Sequence, residues 1–325
     1  MKLSRRQFLH HVAGAAALPM LSGFSFAQNY PLRPVRWIVG SAAGSAPDVV
    51  ARLVGPRLSE RLGQPIIIDD RPGGGGNIGT QAVVNAAADG YTLLFVTNAH
   101  AINATLYDKL NFNFLRDIAP VASLIRLPFV MVVHPSVPAT TVPEFIAHAK
   151  ANPGKLSMAS SGNGTVSHVA GELFKMMTGV NMLSVPYRSG PPALTDMIAG
   201  HVQVMFDTLP SSIEHIRAGK LRPLAVVAAM RSEALPNTPT ITDFVPGYEA
   251  SALFGVGVPK NTPVEIVDRL NKEINAGLAD AKVRERLADL GCLVFAGSPA
   301  DFKKFIAGET EKWAKVIRAA NIKVE

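Results

Sequence analysis

Short apolar runs alternate with amphipathic stretches along most of this chain. Val35–Val39, Pro65–Ile68, Thr92–Val96, Phe129–Val133, Met182–Val185, Val202–Phe206 and Leu221–Ala228 are rich in β-branched residues and bounded by Gly, Pro or Asp. That pattern predicts buried strands. Between them lie helical periodicities. Val50, Val54, Leu58 and Leu62 recur every four residues and so share one helix face, and Gly63 supplies a stop at the C′ position. Helix starts are written as a hydroxyl cap, a proline in the first turn and a carboxylate at N3. Ser45-Ala46-Pro47-Asp48 has this form, as do Thr262-Pro263-Val264-Glu265 and Ser298-Pro299-Ala300-Asp301. The last two open long C-terminal helices with ordinary surface patterns and are read as structural. The βαβα rhythm predicts an α/β fold with parallel or mixed sheets covered by helices.

No repeat, low-complexity tract or long linker interrupts the pattern. Two domains must therefore be joined by crossings inside structured chain. Arg126–Pro135 and Ala250–Pro259 fit, being apolar, extended in type and closed by proline. Two crossings divide the chain into a first domain, residues 28–128 with 250–325, and a second, residues 129–249, with a cleft between them.

The first 27 residues break the rhythm. A charged start is followed by an apolar run from Val12 to Phe26 and a Ser25-Phe26-Ala27 cleavage pattern, which reads as an export signal. Arg5-Arg6, inside Ser4-Arg5-Arg6-Gln7-Phe8-Leu9, resembles a twin-arginine motif. The expectation is a soluble periplasmic protein, exported folded, without a lipid anchor. Lys2, Arg5 and Arg6 account for three of the formal +7 charges, leaving +4 on the mature chain. Its Lys and Arg are scattered, which argues against nucleic-acid binding. The single Cys292 permits no internal disulfide.

Three loops carry candidate chemistry. Gly40-Ser41-Ala42-Ala43-Gly44-Ser45-Ala46-Pro47-Asp48 follows a strand and opens a helix. Small residues there admit close approach to the backbone, and the helix start offers N–H groups to an anion; a capped connection with no ligand fits equally. Arg71-Pro72-Gly73-Gly74-Gly75-Gly76-Asn77-Ile78-Gly79 formally matches the dinucleotide fingerprint. The acid expected at the end of the next strand is missing, since Thr97-Asn98-Ala99-His100 stands there. The loop is read instead as lining a cleft or turning tightly, with no cofactor. Ala159-Ser160-Ser161-Gly162-Asn163-Gly164-Thr165-Val166-Ser167-His168 forms a second anion-type nest before a helix, with His168 as a ligand contact or a packing residue. Ser160 or Ser161, His168 and Asp196 or Asp207 supply the residue types of a hydrolase, but the mature chain has no Gly-x-Ser-x-Gly elbow. The eight dispersed histidines and the single cysteine give no metal pattern.

From Tyr30 to the C-terminus the chain resembles the Bordetella uptake gene proteins, the periplasmic receptors associated with tripartite tricarboxylate transporters. The ordered matches include Tyr30-Pro31-x-Arg33-Pro34, Ala43-Gly44…Asp48, Arg71-Pro72-Gly73…Ile78-Gly79 and Asp89-Gly90-Tyr91-Thr92. They continue through Ala159-Ser160-x-Gly162-x-Gly164…His168, Val185-Pro186-Tyr187-Arg188, Met205-Phe206-Asp207-Thr208-Leu209-Pro210 and Gly219-Lys220-Leu221-Arg222. The resemblance implies a Venus-flytrap fold of the periplasmic binding protein type II class. It also implies a small carboxylated ligand, held mainly by backbone N–H groups, and delivery to a membrane permease, with no cofactor and a monomeric state. Delivery to a signalling sensor is the alternative reading, and an exported hydrolase or oxidoreductase a weaker one. Mapped onto this chain, the clamp of the first domain is Ala43, Gly44, Ser45, Ala46 and Asp48. That of the second is Ser160, Gly162, Asn163, Gly164, Thr165 and His168, with Tyr187, Arg188 and Asp207 at or beyond strand ends, where they could face the cleft; a hinge or helix-capping role for Asp207 and a surface role for Arg188 are the alternatives. The chain departs from the family where Gly40-Ser41 replaces Pro-Phe and Ser45 replaces Gly. The first change removes an aromatic from the cleft and the second adds a donor.

Overall fold

The computed structural model describes residues 30–228 and 231–323, so the segment expected as an export signal lies outside the described residues. Their strands are β1 Val35–Val39, β2 Ile66–Asp70, β3 Thr92–Val96, β4 Ile118–Leu127, β5 Phe129–Val133, β6 Ser157–Ser160, β7 Leu183–Pro186, β8 Val204–Thr208, β9 Arg222–Val227, β10 Ala252–Pro259 and β11 Leu293–Val294. Two sheets result, in the orders β11-β4-β10-β3-β1-β2 and β7-β6-β8-β5-β9. The first sheet draws on both ends of the chain and the second on its middle.

Both sheets are mixed, as the rhythm predicts. β1 pairs in parallel with β2 and β3, and β6 in parallel with β7 and β8. β10 inserts antiparallel between β3 and β4, with Val256 opposite Phe95 and Ala122. Parallel strands followed by helices place every helix N-terminus at the carboxyl edge of its sheet. This rule, applied twice, builds the site.

The segments expected as crossings are strands for most of their length. Pro128 alone separates β4 from β5, and all eight residues of β10 are buried. A buried link without a ladder would leave its N–H and C=O groups unpaired, so these apolar segments join the sheets they connect. β6, of sequence Ser-Met-Ala-Ser, has no β-branched residue and shows no strand signal of its own. It is a strand because β7 and β8 flank it.

Aromatic rings pack across neighbouring strands of the first sheet and between the second sheet and its helix Val166–Thr178. Trp37 and Phe95 lie 5.4 Å apart, and Phe95 meets Phe254 edge-on at 5.2 Å. In the second sheet Phe174 packs on Phe206 and Tyr248, and the Tyr248 hydroxyl donates to Ala170 O at 2.8 Å. A buried carboxylate ties the wall of the site to the C-terminal helix Pro299–Ala319. Glu309 accepts from Asn98 Nδ2 at 2.6 Å and Trp313 Nε1 at 2.8 Å, while Asn98 Oδ1 accepts the N–H of Leu253 at 2.7 Å. Buried polar groups linked this way fix one arrangement of the three elements they join.

Candidate functional site

A cleft of about 640 Å³ lies between the carboxyl edges of the two sheets. Six helices begin on it: Ala46–Leu62, Asn77–Val84, Asn98–Leu106, Val166–Thr178, Gly190–Ile198 and Leu209–Arg217. Three follow strands of the first sheet and three follow strands of the second. Each start carries about half a positive charge and unpaired N–H groups. Only two of the six are capped by a side chain. Thr97 Oγ1 accepts from Ala99 N and Thr165 Oγ1 from His168 N, whereas the caps Ser45, Gly76, Ser189 and Thr208 make no such bond. Four helix ends are thus left with donors for a guest.

Unpartnered polar side-chain atoms add to these. Ser45 Oγ, Ser167 Oγ and His100 Nε2 belong to residues that line the cleft, and none has a hydrogen-bond partner among the described residues. His100 Nδ1 lies 3.0 Å from both the N–H and the carbonyl oxygen of Thr97, so whether Nε2 offers a proton or a lone pair to the cleft follows the tautomer. Burial lowers the His100 pKa to about 4, so the ring is neutral at pH 7. The remaining lining is largely apolar, with Phe95, Phe129 and Phe254 behind it. Arg188 and Asp207 are the only formally charged side chains on it among the described residues. Arg188 is exposed, with no ion pair within 4.0 Å among the described residues. Asp207 is 3% exposed, its Oδ2 accepts from Ser212 Oγ at 2.7 Å, and burial pushes its carboxyl up to about 6.

Of the residues singled out in the sequence, Ser45, Ala46, Thr165, Arg188 and Asp207 line the cleft. Ala43, Gly44, Asp48, Ser160, Gly162, Asn163, Gly164, His168 and Tyr187 do not. Asp48 turns inward, accepting from Gly44 N at 2.8 Å and pairing with Arg52 Nε at 2.6 Å, and Arg52 in turn holds Asp70. Its carboxylate therefore shapes the 40–45 loop from behind. His168 is buried, accepts from Gly164 N at Nδ1 (3.2 Å), and has a lowered pKa because of desolvation. Tyr187 donates to Asp196 Oδ2 at 2.6 Å, and Ser160 is buried with its carbonyl taking Tyr187 N–H. None of Ser160, Ser161, His168, Asp196 and Asp207 hydrogen-bonds to another of the set.

The glycine loop does line the cleft, through Pro72–Gly76. Gly76 has φ +92° and Gly40 comes so close that a Cβ there would stand 3.0 Å from Gly76 Cα. Gly40 in place of a larger residue lets the two loops lie side by side. Thr97 and His100, Ser189 to Pro191, Thr208 and Ser211 escaped the sequence reading. The missed signal was capping chemistry. Thr97-x-x-His100 is a reciprocal cap with histidine in the place usually taken by Glu or Gln, and Ser189-Gly190-Pro191 and Thr208-Leu209-Pro210 are hydroxyl-then-proline starts.

Known proteins share this architecture. A family model described as tripartite tricarboxylate transporter family receptor matches residues 50–322. BugT of Bordetella pertussis is 35% identical over 302 residues, covering 92% of this chain and 93% of BugT. The UPF0065 protein in the tcbD-tcbE intergenic region of Pseudomonas sp. strain P51 is 37% identical over 311 residues, covering 94% and 93%. Among solved structures, R. palustris Rpa4515 with adipate superposes with a TM-score of 0.86 at 38% identity, covering 90% of this chain and 99% of that one. MatC of Rhodopseudomonas palustris with bound malate gives 0.83 at 31%, covering 89% and 100%.

Proposed function

The chain belongs to the tripartite tricarboxylate transporter receptor family, and from that premise we propose that it captures a small carboxylate outside the cytoplasm by closing its two sheets over it, then presents it to the permease of such a transporter. In this reading residues 28–128 with 250–325 move as one body and 129–249 as the other. The observation that carries the ligand class is the meeting of six helix N-termini on one cleft, four of them without a side-chain cap. An anion is the guest that this arrangement stabilises. Adipate and malate in two similar proteins support the same class. The family is one of receptors, and the chain is not an enzyme.

Closure sets the affinity. N–H···O⁻ bonds contribute about 1.5–3 kcal/mol each. Three or four of them, less the cost of ordering, correspond to dissociation constants of roughly micromolar to nanomolar. Thermal unfolding against a panel of acids and their amides tests the reading. An acid present at about 100 times its dissociation constant should stabilise the protein by about 2.7 kcal/mol, and its amide should do nothing. A panel of acids producing no shift in ligand-free protein would count decisively against a carboxylate receptor. Delivery is tested separately, by uptake of the identified acid in a strain lacking the protein.

A further inference from the structure

The two halves of the cleft differ in chemistry. The half built on the second sheet carries six hydroxyl side chains among the described residues, Ser161, Thr165, Ser167, Ser189, Thr208 and Ser211, and the cation Arg188. Arg188 is exposed and forms no ion pair within 4.0 Å among the described residues. Ser167 is 1% exposed, and its Oγ has no partner among the described residues. Asp207, the other charged group of this wall, is engaged with Ser212 Oγ at 2.7 Å. The half built on the first sheet has no formally charged side chain on the lining, and much of it is bare backbone. Residues 40–42 and 73–76 line it, and none has a side chain larger than that of Ser41. The glycines at 73–76 all have positive φ, from +57° to +120°, where other residues are strained. Asn103, itself buried, donates from Nδ2 to Gly75 O at 2.9 Å and to Asn77 Oδ1 at 3.0 Å, so the loop is held from behind.

Resting on the carboxylate reading above, we propose that the ligand is an aryl carboxylate. Its ring lies flat on the peptide planes of residues 40–42 and 73–76, and its carboxylate faces Arg188 and the uncapped helix starts at Ser189 and Thr208. Peptide groups are planar, and a planar ring meets such a surface with its whole face at about 3.5–4.0 Å. A peptide N–H under the ring also meets its negative π face favourably. A saturated ring of the same size is puckered and touches the surface only through its axial hydrogens. Side chains on these loops would occupy the ring's place, which gives a run of four glycines, each costly in backbone entropy, a physical reason. Phe95, Phe129 and Phe254 suit the ring's edge, since aromatic pairs favour edge-to-face contact. Arg188 gives the carboxylate a charge-assisted bond, and the helix starts add partial positive charge. The volume of about 640 Å³ falls in the range, roughly 300–1,000 Å³, of sites that bury drug-sized ligands, so a substituted ring fits. A second carboxylate on the ring finds the uncapped starts at Ser45 and Gly76, so aryl mono- and dicarboxylates are both taken.

The test is calorimetric titration of the whole protein with matched planar and puckered acids. Benzoate is set against cyclohexanecarboxylate, and benzene-1,4-dicarboxylate against trans-cyclohexane-1,4-dicarboxylate, with adipate and malate as open-chain acids. Each planar acid should bind about tenfold tighter than its puckered partner, the size of a favourable aromatic contact, and tighter than both open-chain acids. Ser41→Phe, which sets a ring on the bare surface, should cost the planar acids about tenfold or more and leave adipate within about threefold. Arg188→Gln should weaken both members of each pair alike, by about tenfold. Amide proton shifts need no variant and carry the test if Ser41→Phe fails to fold. Benzoate should move the N–H resonances of residues 40–42 and 73–76 upfield by its ring current, and cyclohexanecarboxylate should not. Planar and puckered acids of equal affinity, ring-current shifts absent from both loops, acids indifferent to Arg188→Gln, or adipate or malate binding tighter than the aryl acids each overturn the aryl inference and leave the carboxylate reading standing. Failure of every acid in the series overturns the carboxylate reading and this inference with it.

Discussion

Gly164→Val is expected to hold the cleft open and to weaken carboxylate binding about tenfold or more. Gly164 does not touch the cleft. It is buried where the 161–165 loop of the second sheet's half meets the helix Asn98–Leu106 of the first, and its φ is +73°. A Cβ at this position would collide with Leu106 Cδ2 and stand 3.6 Å from Asn103 Oδ1. A β-branched residue is also strained at positive φ. The clash falls on the closed arrangement alone, because opening carries residue 164 away from Leu106, whereas the strain at positive φ is local to the loop and is carried open or closed. If the closed form drops to about one tenth of the population, the apparent dissociation constant rises about tenfold with every ligand contact intact. Small-angle scattering should show a larger radius of gyration for the variant, and saturating acid should reverse it. Leu106→Ala in the same chain makes room and should recover part of the affinity. A variant with normal affinity and an unchanged scattering curve would remove Gly164 from closure.

The second large effect concerns pH. His100 and Asp207 face one another's cleft from opposite walls, both nearly fully buried, with opposite shifts. His100 is moved from 6.5 to about 4 and Asp207 from 3.8 to about 6, in each case chiefly by desolvation. For His100 the unfolded chain binds more protons between pH 4 and 6.5, so its contribution to stability is present above 6.5 and is lost as pH falls toward 4. For Asp207 the folded chain binds more protons between pH 4 and 6, so its contribution is present below 4 and is lost as pH rises through 6. Each shift corresponds to about 3 kcal/mol, and over pH 4–6 the two slopes nearly cancel. His100→Gln keeps the reciprocal cap, because glutamine at N3 makes the same bond to the Thr97 N–H. Its ligand-free stability should fall by about 3 kcal/mol from pH 4 to pH 6. Asp207→Asn should show the reverse, a rise of about 3 kcal/mol from pH 4 to 6.5. The double variant should be as flat as the parent. Denaturant unfolding at half-unit pH steps measures all four, and single variants running parallel to the parent would remove both groups as the source of the slopes.

These effects rest on residues that the sequence exposed unevenly. Thr92–Val96, Val35–Val39 and Phe129–Val133 are strands at the bounds their composition sets. The helix Ala46–Leu62 begins after Ser45 and ends at Gly63 in the left-handed conformation, as its cap and stop residues require. The helix starts after Ser45 and Thr165 were legible for the same reason. Helix starts are governed by neighbours within one turn, so their chemistry is local and can be read without the fold. The orientation of the nest residues was not local. Asp48 has the spacing of a capping carboxylate, yet it turns away from the cleft because Arg52, one turn on, and Gly44 N–H claim its two oxygens. His168 follows the second nest but is drawn inward by the N–H of Gly164.

What the chain determined by itself was the α/β alternation, the places where helices start and stop, and the uncharged, glycine-rich character of two loops. Tertiary structure decided that β10 enters between β3 and β4 and that β6 is a strand at all. It also brought Thr97, His100, Ser189, Thr208 and Asp207 to one cleft from segments up to about a hundred residues apart. The division has one physical cause. Caps, turns and periodicity are set by contacts a few residues apart, whereas strand pairing and burial are set by partners distant in sequence, which no local pattern encodes.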